Sequence, residues 1–566
     1  MPKKNKLLDA GSKCRAYIIE QFKVIKTQLD FVNSLLEMIV NEQEDEGKSA
    51  KLIEKETEHN RNLFCHILAS TTSNIKKKKT AWIPISSRFR EKYLSHSCYQ
   101  KFEDAGLLEV RDYSHYRGLS REFKIPDVII DEFFQLGDIS SEEYVEQDKY
   151  NLFDGKKSNK IIGHQKHDKN KNAEPKLIRG ALDLIQEGYF NKTAVEAHLA
   201  ELKSVRDSLK IEYENTESDP FASELEKHRA FKKYETARCR WLNDNYCLKA
   251  VLNQRIRAIN KDIWIFRPAY KVQTSGRVSP FSGGLQSCSR RAKAAAYKDI
   301  ENLRNYDLKS SQIAGLIQEF ELENLDTSWL IAYRNNPNAK KEYAAKVGIS
   351  VDCWKTCLCS LLFGASLNTP SKAKSKLDSL SEMNGKSINS VLDNLSAEAN
   401  YDVELAIEYF NKFYKVVKPL EKELKKWHKR LLEWAEADKN KKKESNGKFY
   451  VKNCVEKKLC LTDLQDFNEW EIKSKLASFV LLGRESCFIH HLTILSKEYN
   501  YQVIANEHDG LVVLGTIPKE AVLKAAEGSG LKDPILEEKP FDTTEIEDLL
   551  DSYDFENDYD WDEISL

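Results

Sequence analysis

Two aspartates stand where a carboxylate can hold a metal ion. Asp307 closes a short extended segment, after which Ile313, Leu316, Ile317 and Phe320 share one helical face. A carboxylate at such a switch projects into a cleft where a metal can sit; a helix-capping aspartate gives the same pattern. Asp509 belongs to His508-Asp509-Gly510, between two β-rich runs. That reads as a hairpin, although Asp-Gly is also an ordinary turn. Lys355 shares a helical face with Cys359, Leu362 and Phe363, and Gly364 follows. Amphipathic packing explains the apolar members of that face but not a lysine on it. The fourth segment, QTSGRVSPFSGGLQS at 273–287, is a Gly/Ser-rich loop with one arginine, Arg277. Alone it reads as a turn.

In this order and spacing the four segments resemble those of the DNA polymerase I family (family A). Thr274, Gly276, Arg277, Ser279, Leu285 and Gln286 match its T-x-GR-x-S…LQ segment without a gap. The stretch from Tyr306 resembles motif A, 352–366 motif B and 501–515 motif C. Residues 409–427 resemble the fingers helix after motif B, and 475–499 the helix before motif C. The resemblance spans roughly 264–514, about 45% of the chain.

The resemblance implies roles. Asp307 and Asp509 would bind two Mg²⁺ ions, or Mn²⁺, with the Leu308 carbonyl as a further ligand; oxygen donors suit these ions. Lys355 would neutralise the triphosphate and protonate the pyrophosphate leaving group. Phe363 would close over the nascent base pair, with Cys359 beside it. Gln312 takes the steric-gate position facing the nucleotide sugar. Arg277, Gln286 and His508 would meet the primer–template, Arg277 reading minor-groove acceptors common to all correct pairs.

Several positions depart from the family. The arginine four residues before the motif B lysine is Val351 here, and Arg334, Lys340 or Lys341 could replace it. Gln312 stands for a glutamate, Cys359 for an aromatic or Met, Phe363 for a Tyr, and Gly510 for the acidic residue after the motif C aspartate. These changes mark a distant branch with altered fidelity or nucleotide preference.

The elements that must position these residues are expected to form an α+β right-hand polymerase (palm, fingers and thumb) behind a mostly helical N-terminal region. Apolar spacing predicts helices over 1–57, including Tyr17 and Ile18. Within 58–147 the order helix, helix, strand, basic hairpin resembles winged-helix modules of replication proteins, with Arg117 and Arg121 on the wing meeting phosphate. A small helical scaffold with a surface hairpin is the other reading. Residues 148–176 read as a linker, 177–262 as a helical thumb, 263–325 as the first palm part, 326–455 as fingers and 456–540 as the second palm part. Residues 541–566 read as an acidic disordered tail, regulatory, partner-recruiting or inert.

Composition agrees with nucleic-acid binding once the tail is set apart. The net charge is −1, but 541–566 holds eleven acidic residues and no Lys or Arg, leaving +10 on the rest. Twelve cysteines without a CxxC pair suggest reduced thiols and no zinc site. No run reaches the ~18 apolar residues of a membrane span, and the basic start lacks a signal-peptide core. A cytoplasmic location, in a bacterial or phage-infected cell, is expected. The implied activity is DNA-directed DNA synthesis from primer–template and dNTPs, without proofreading, for a phage, plasmid or mobile element. A replication protein bound by the tail is a further expected partner. An rNTP-using RNA polymerase or primase, and a DNA-binding initiator with an inactive palm, are the alternatives.

Overall fold

The computed structural model describes residues 22–45, 49–73, 82–85, 99–111, 121–137, 148–158, 174–280, 283–365, 367–378, 390–399, 402–438, 440–465 and 467–541. Tyr17, Ile18, Arg117, the basic hairpin tip and the acidic segment after Phe541 lie outside them. The chain is a helix-rich α+β protein. No described helix is long and apolar enough to cross a membrane.

At its centre is an antiparallel four-stranded sheet, ordered Gln502–Asn506, Gly510–Leu514, Leu303–Leu308, Leu536–Lys539. Strand alternation sends side chains to two faces, and both are covered. Tyr306, Leu308, Val503, Leu511 and Val513 enter one core with the helices Lys519–Ser529 and Glu469–Leu495. Ile504, Val512 and Leu514 enter another with Trp264, Phe266 and the helix Arg290–Ala296. A sheet buried on both faces is rigid, and its strand ends are fixed platforms for side chains.

The helix Glu469–Leu495 ties the molecule together. Asn468 and Glu471 form a reciprocal capping box at its start. Its first half, through Leu481, packs with the helices Ser328–Asn335, Ala339–Val347, Val351–Leu362, Ser390–Glu398 and Val403–Glu436 around Trp354 and Trp427. Its second half, from Cys487, packs under the sheet. Glu485 sits where the two cores meet.

The helices Lys192–Ser218 and Glu224–Leu252 pack along each other as a hairpin. Trp241 and Leu242 of the second enter the N-terminal core with Phe64, Phe102, Phe123 and Phe133. Helix forms over Lys26–Asp45 and Ala50–Ser73 within the expected N-terminal helical region and beyond it. A three-stranded sheet follows, ordered Ile83–Ile85, Arg121–Lys124, Glu109–Arg111. The start of the expected linker is folded: Lys149–Asn151 pairs with Lys23–Val24 and Lys157–Ser158, and Leu152 is buried in the N-terminal core. A linker reading of 148–158 fails because Tyr150 and Leu152 supply apolar anchors that its many polar residues obscured. The described cysteines form no disulfide.

Candidate active site

The site begins with strand register. Asp307 is the Cα partner of Gly510 on the neighbouring strand, and the Leu308 N–H donates to the Asp509 carbonyl at 2.7 Å. The two aspartates, distant in sequence, are thus neighbours at one sheet end. Leu308 itself is buried.

The hairpin turns on His508 and Asp509, while Gly510 already belongs to the strand. The Glu507 N–H donates to the Gly510 carbonyl at 2.9 Å. His508 adopts φ 73°, the left-handed region, and its N–H donates to Asn506 Oδ1 at 3.0 Å. Gly510 meets a close-approach requirement: a Cβ there would stand 2.2 Å from the Tyr306 carbonyl oxygen. The position cannot carry any side chain without parting the strands.

Charge is concentrated here. The Asp509 carboxyl is pushed up to about 7, first by burial, then by Glu485 and Asp307, with Arg277 pulling the other way. Asp307 Oδ2 is ion-paired with Lys539 Nζ from the edge strand. Lys293 pairs with Glu507 beside the turn.

Arg277 lies on the loop between the paired strands Tyr270–Val272 and Val278–Pro280. Gly276 adopts φ 100° there, with Val455 Cγ2 2.5 Å from where a Cβ would stand. Asn453 Nδ2 donates to the Ser275 carbonyl at 2.8 Å, and His490 Nε2 lies 3.0 Å from the Gly276 carbonyl. Arg277 Nε stands 2.5 Å from Glu485 Oε1, and its Nη2 donates to Oε2 at 2.6 Å. Gln312 Nε2 donates to the same Oε2 at 3.3 Å. Arg277 and Gln312 therefore converge on one buried carboxylate.

Other expected site residues are placed differently. The Gln286 amide is buried and donates to the backbone carbonyls of Val278, at 3.1 Å, and Asn506, at 2.8 Å. It ties the arginine loop to the sheet. Lys355 does not share the apolar face: Cys353, Trp354, Cys357, Leu358, Leu361 and Leu362 are buried, while Lys355 and Cys359 are exposed and Lys355 pairs with Asp352 at 2.8 Å. A lysine with its ammonium in water costs less than one in the core, which decides the helix rotation. Phe363 is half-buried against the helical core. Arg121 stacks on Tyr99, guanidinium carbon to ring centre 4.3 Å.

Of the cations expected near Val351, Arg334 is buried with its Nε toward Asn335. Lys340 is exposed, yet neighbouring atoms partly desolvate its ammonium. Its ammonium is held below the ordinary lysine value, first by desolvation and then by Lys355 and Lys539, while Asp307 opposes. Lys355, Lys539 and Asp307 are thus all within electrostatic reach of Lys340, and Lys539 is paired with Asp307.

No group of three or more His, Cys, Asp or Glu side chains among the described residues is arranged as a metal cage. The donor set still fits Mg²⁺, which takes one or two carboxylates and completes its shell with water and substrate phosphates. The raised Asp509 carboxyl marks an excess of negative charge that a cation would relieve.

Glu485 is the site residue that sequence reading missed. Its signal was the charged pair Arg484-Glu485 inside an apolar helical run. Arg484 pairs with Glu319 at 2.8 Å, whereas Glu485 faces the site.

The site's supporting histidine predicts an acid limit to stability. Burial drives His490 down to about 4, and His428, held against the Leu362 carbonyl, likewise. Folded values below the unfolded ~6.5 mean that stability is complete above pH 6.5 and is lost as pH falls toward 4. Each histidine is expected to remove about 2 kcal/mol by pH 5. Thermal melts from pH 7.5 to 4.5 check this; His490→Asn should flatten the profile by one proton's slope, and an unchanged profile would contradict it.

No protein-family model matches the chain, and no curated protein matches it in sequence. Among solved structures, the POL domain of Pol1 from M. smegmatis, in complex with DNA primer-template and dNTP, aligns at a TM-score of 0.38 and 12% identity, over 66% of this chain and 71% of that one.

Proposed function

We propose that the chain is a DNA-directed DNA polymerase that extends a primer by two-metal nucleotidyl transfer. The observation that carries this reading is the juxtaposition of Asp307 and Asp509 at one end of a sheet buried on both faces. In this reading the sheet is the palm, the helices between Ser328 and Glu436 are the fingers, and the hairpin Lys192–Leu252 is the thumb. The strand order around Arg121–Lys124, with the last strand central, supports a winged-helix DNA-binding module.

Asp307 and Asp509 would hold the metal ions, which when bound lower the pKa of the primer 3′ hydroxyl and balance charge on the phosphates. Lys355 and Lys340, both exposed on the finger helices, would draw in the triphosphate, Lys340 standing in for the arginine absent at Val351. Arg277 would reach the primer–template minor groove from its pinned loop, with His508 beside the primer end. Gln312 would face the sugar of the incoming nucleotide. Glu485 keeps Arg277 partly neutralised, so the arginine neighbours Asp509 without capturing it.

The test is extension of a recessed-end duplex with Mg²⁺, comparing dNTPs with rNTPs. Incorporation of dNTPs is expected. Use of rNTPs alone would keep the chemistry and reverse the substrate assignment. Tight duplex binding with no incorporation of either would overturn the reading in favour of a DNA-binding initiator.

A further inference from the structure

We propose that Glu485 is a positioning residue that fixes two substrate-facing side chains at once, Arg277 on the duplex side and Gln312 on the sugar side, and thereby sets sugar selectivity. This rests on the polymerase reading above.

The Glu485 side chain is 0% exposed, yet it lies within a helix otherwise packed with apolar residues. A buried carboxylate persists only with partners that satisfy it. Arg277 Nη2 donates to Oε2 at 2.6 Å and Gln312 Nε2 to the same oxygen at 3.3 Å, while Arg277 Nε stands at ion-pair distance, 2.5 Å, from Oε1. One charge-assisted hydrogen bond together with the ion pair holds the guanidinium beside the carboxylate. For Gln312 the consequence is chemical. An amide can present either its NH₂ or its carbonyl, and rotation by half a turn exchanges them. Glu485 Oε2 accepts from Gln312 Nε2 and Arg277 Nη2, which selects the orientation in which the NH₂ faces inward and the carbonyl faces away. A side chain five residues after Asp307 then offers the incoming sugar a fixed acceptor. Without Glu485 the amide has no reason to choose.

The experiment is a swap. Glu485→Gln is expected to move the dNTP-to-rNTP ratio of kcat/KM toward unity by at least about fivefold, because discrimination follows differential transition-state contacts. It should also weaken duplex binding through the released Arg277. Gln312→Glu sets a second carboxylate against Glu485 and should impair selectivity as well. The double variant Glu485→Gln/Gln312→Glu restores one carboxylate, one amide and one guanidinium, and should recover most of the wild-type ratio. Gln312→Met, which leaves the buried ion pair intact, should lose selectivity at wild-type melting temperature, and it serves should Glu485→Gln not fold. A double variant no better than the worse single would overturn the inference. So would an active wild type whose selectivity ignores both Glu485→Gln and Gln312→Met. A folded wild type inert with both sugars would sink the polymerase reading and this assignment together.

Discussion

Asp509→Asn is expected to abolish nucleotide incorporation while making the metal-free chain more stable. A loss of at least roughly a thousandfold, about 4 kcal/mol of transition-state stabilisation, is the scale for removing one of two carboxylates that hold the reacting centre. Stability moves the other way. The folded carboxyl lies at about 7, above the ordinary value of 3.8, first because of burial and then because of Glu485 and Asp307. The folded state therefore prefers the protonated form, and stability drains away as pH rises from about 4 to 7. Asparagine cannot ionise and avoids that loss, a gain on the order of 4 kcal/mol at pH 8 that vanishes near pH 4. Asp307→Asn should also abolish incorporation, but it leaves Lys539 without its ion-pair partner and gives no such gain. Primer extension in Mg²⁺ and melts in chelator from pH 4.5 to 8 separate the two variants. An Asp509→Asn protein that is active, or no more stable than wild type at pH 8, would contradict the site as drawn.

What the sequence made legible follows from how locally each feature is encoded. The sheet strands holding Asp307 and Asp509 announce themselves by short apolar runs beside a turn or a helix start, and the structure brings the two residues together. Lys355 was harder. Helical spacing groups residues into faces but does not say which face meets the core: Trp354, Leu358 and Leu362 turn inward, and Lys355 and Cys359 are left exposed. Gln286 illustrates a different gap: its partners are backbone carbonyls, one of them on Asn506, and carbonyls leave no mark on sequence. Glu485 needed the third dimension altogether, because an acidic residue inside an apolar helix is a warning whose partner could be any cation in the chain. The turn falls on His508 and Asp509, which shifts Gly510 out of the turn and into the strand.

That shift makes Gly510 the most constrained position in the site, and Gly510→Ala is expected to be severe. The added methyl would lie 2.2 Å from the Tyr306 carbonyl oxygen and 3.2 Å from Asp307 Cα. Both are backbone atoms, so no side chain can swing aside. Relief requires the strands to part by about an ångström, which strains the Leu308 N–H to Asp509 carbonyl bond and shifts one aspartate against the other. A destabilisation of about 3 kcal/mol or more is expected, with at least a hundredfold loss of incorporation even in protein that folds, because misplacing reacting groups by an ångström has that effect. Gly515→Ala is the control. Gly515 also sits in the hairpin, but its demand is conformational: φ is 96° and the nearest contact to a new Cβ is 3.6 Å. It should lose about 1 kcal/mol through left-handed strain and keep its activity. Denaturant melts and single-turnover incorporation on both variants decide the matter. A Gly510→Ala protein as stable and active as wild type would mean that Asp307 and Gly510 are not register partners, and with that pairing the two-carboxylate site would fall.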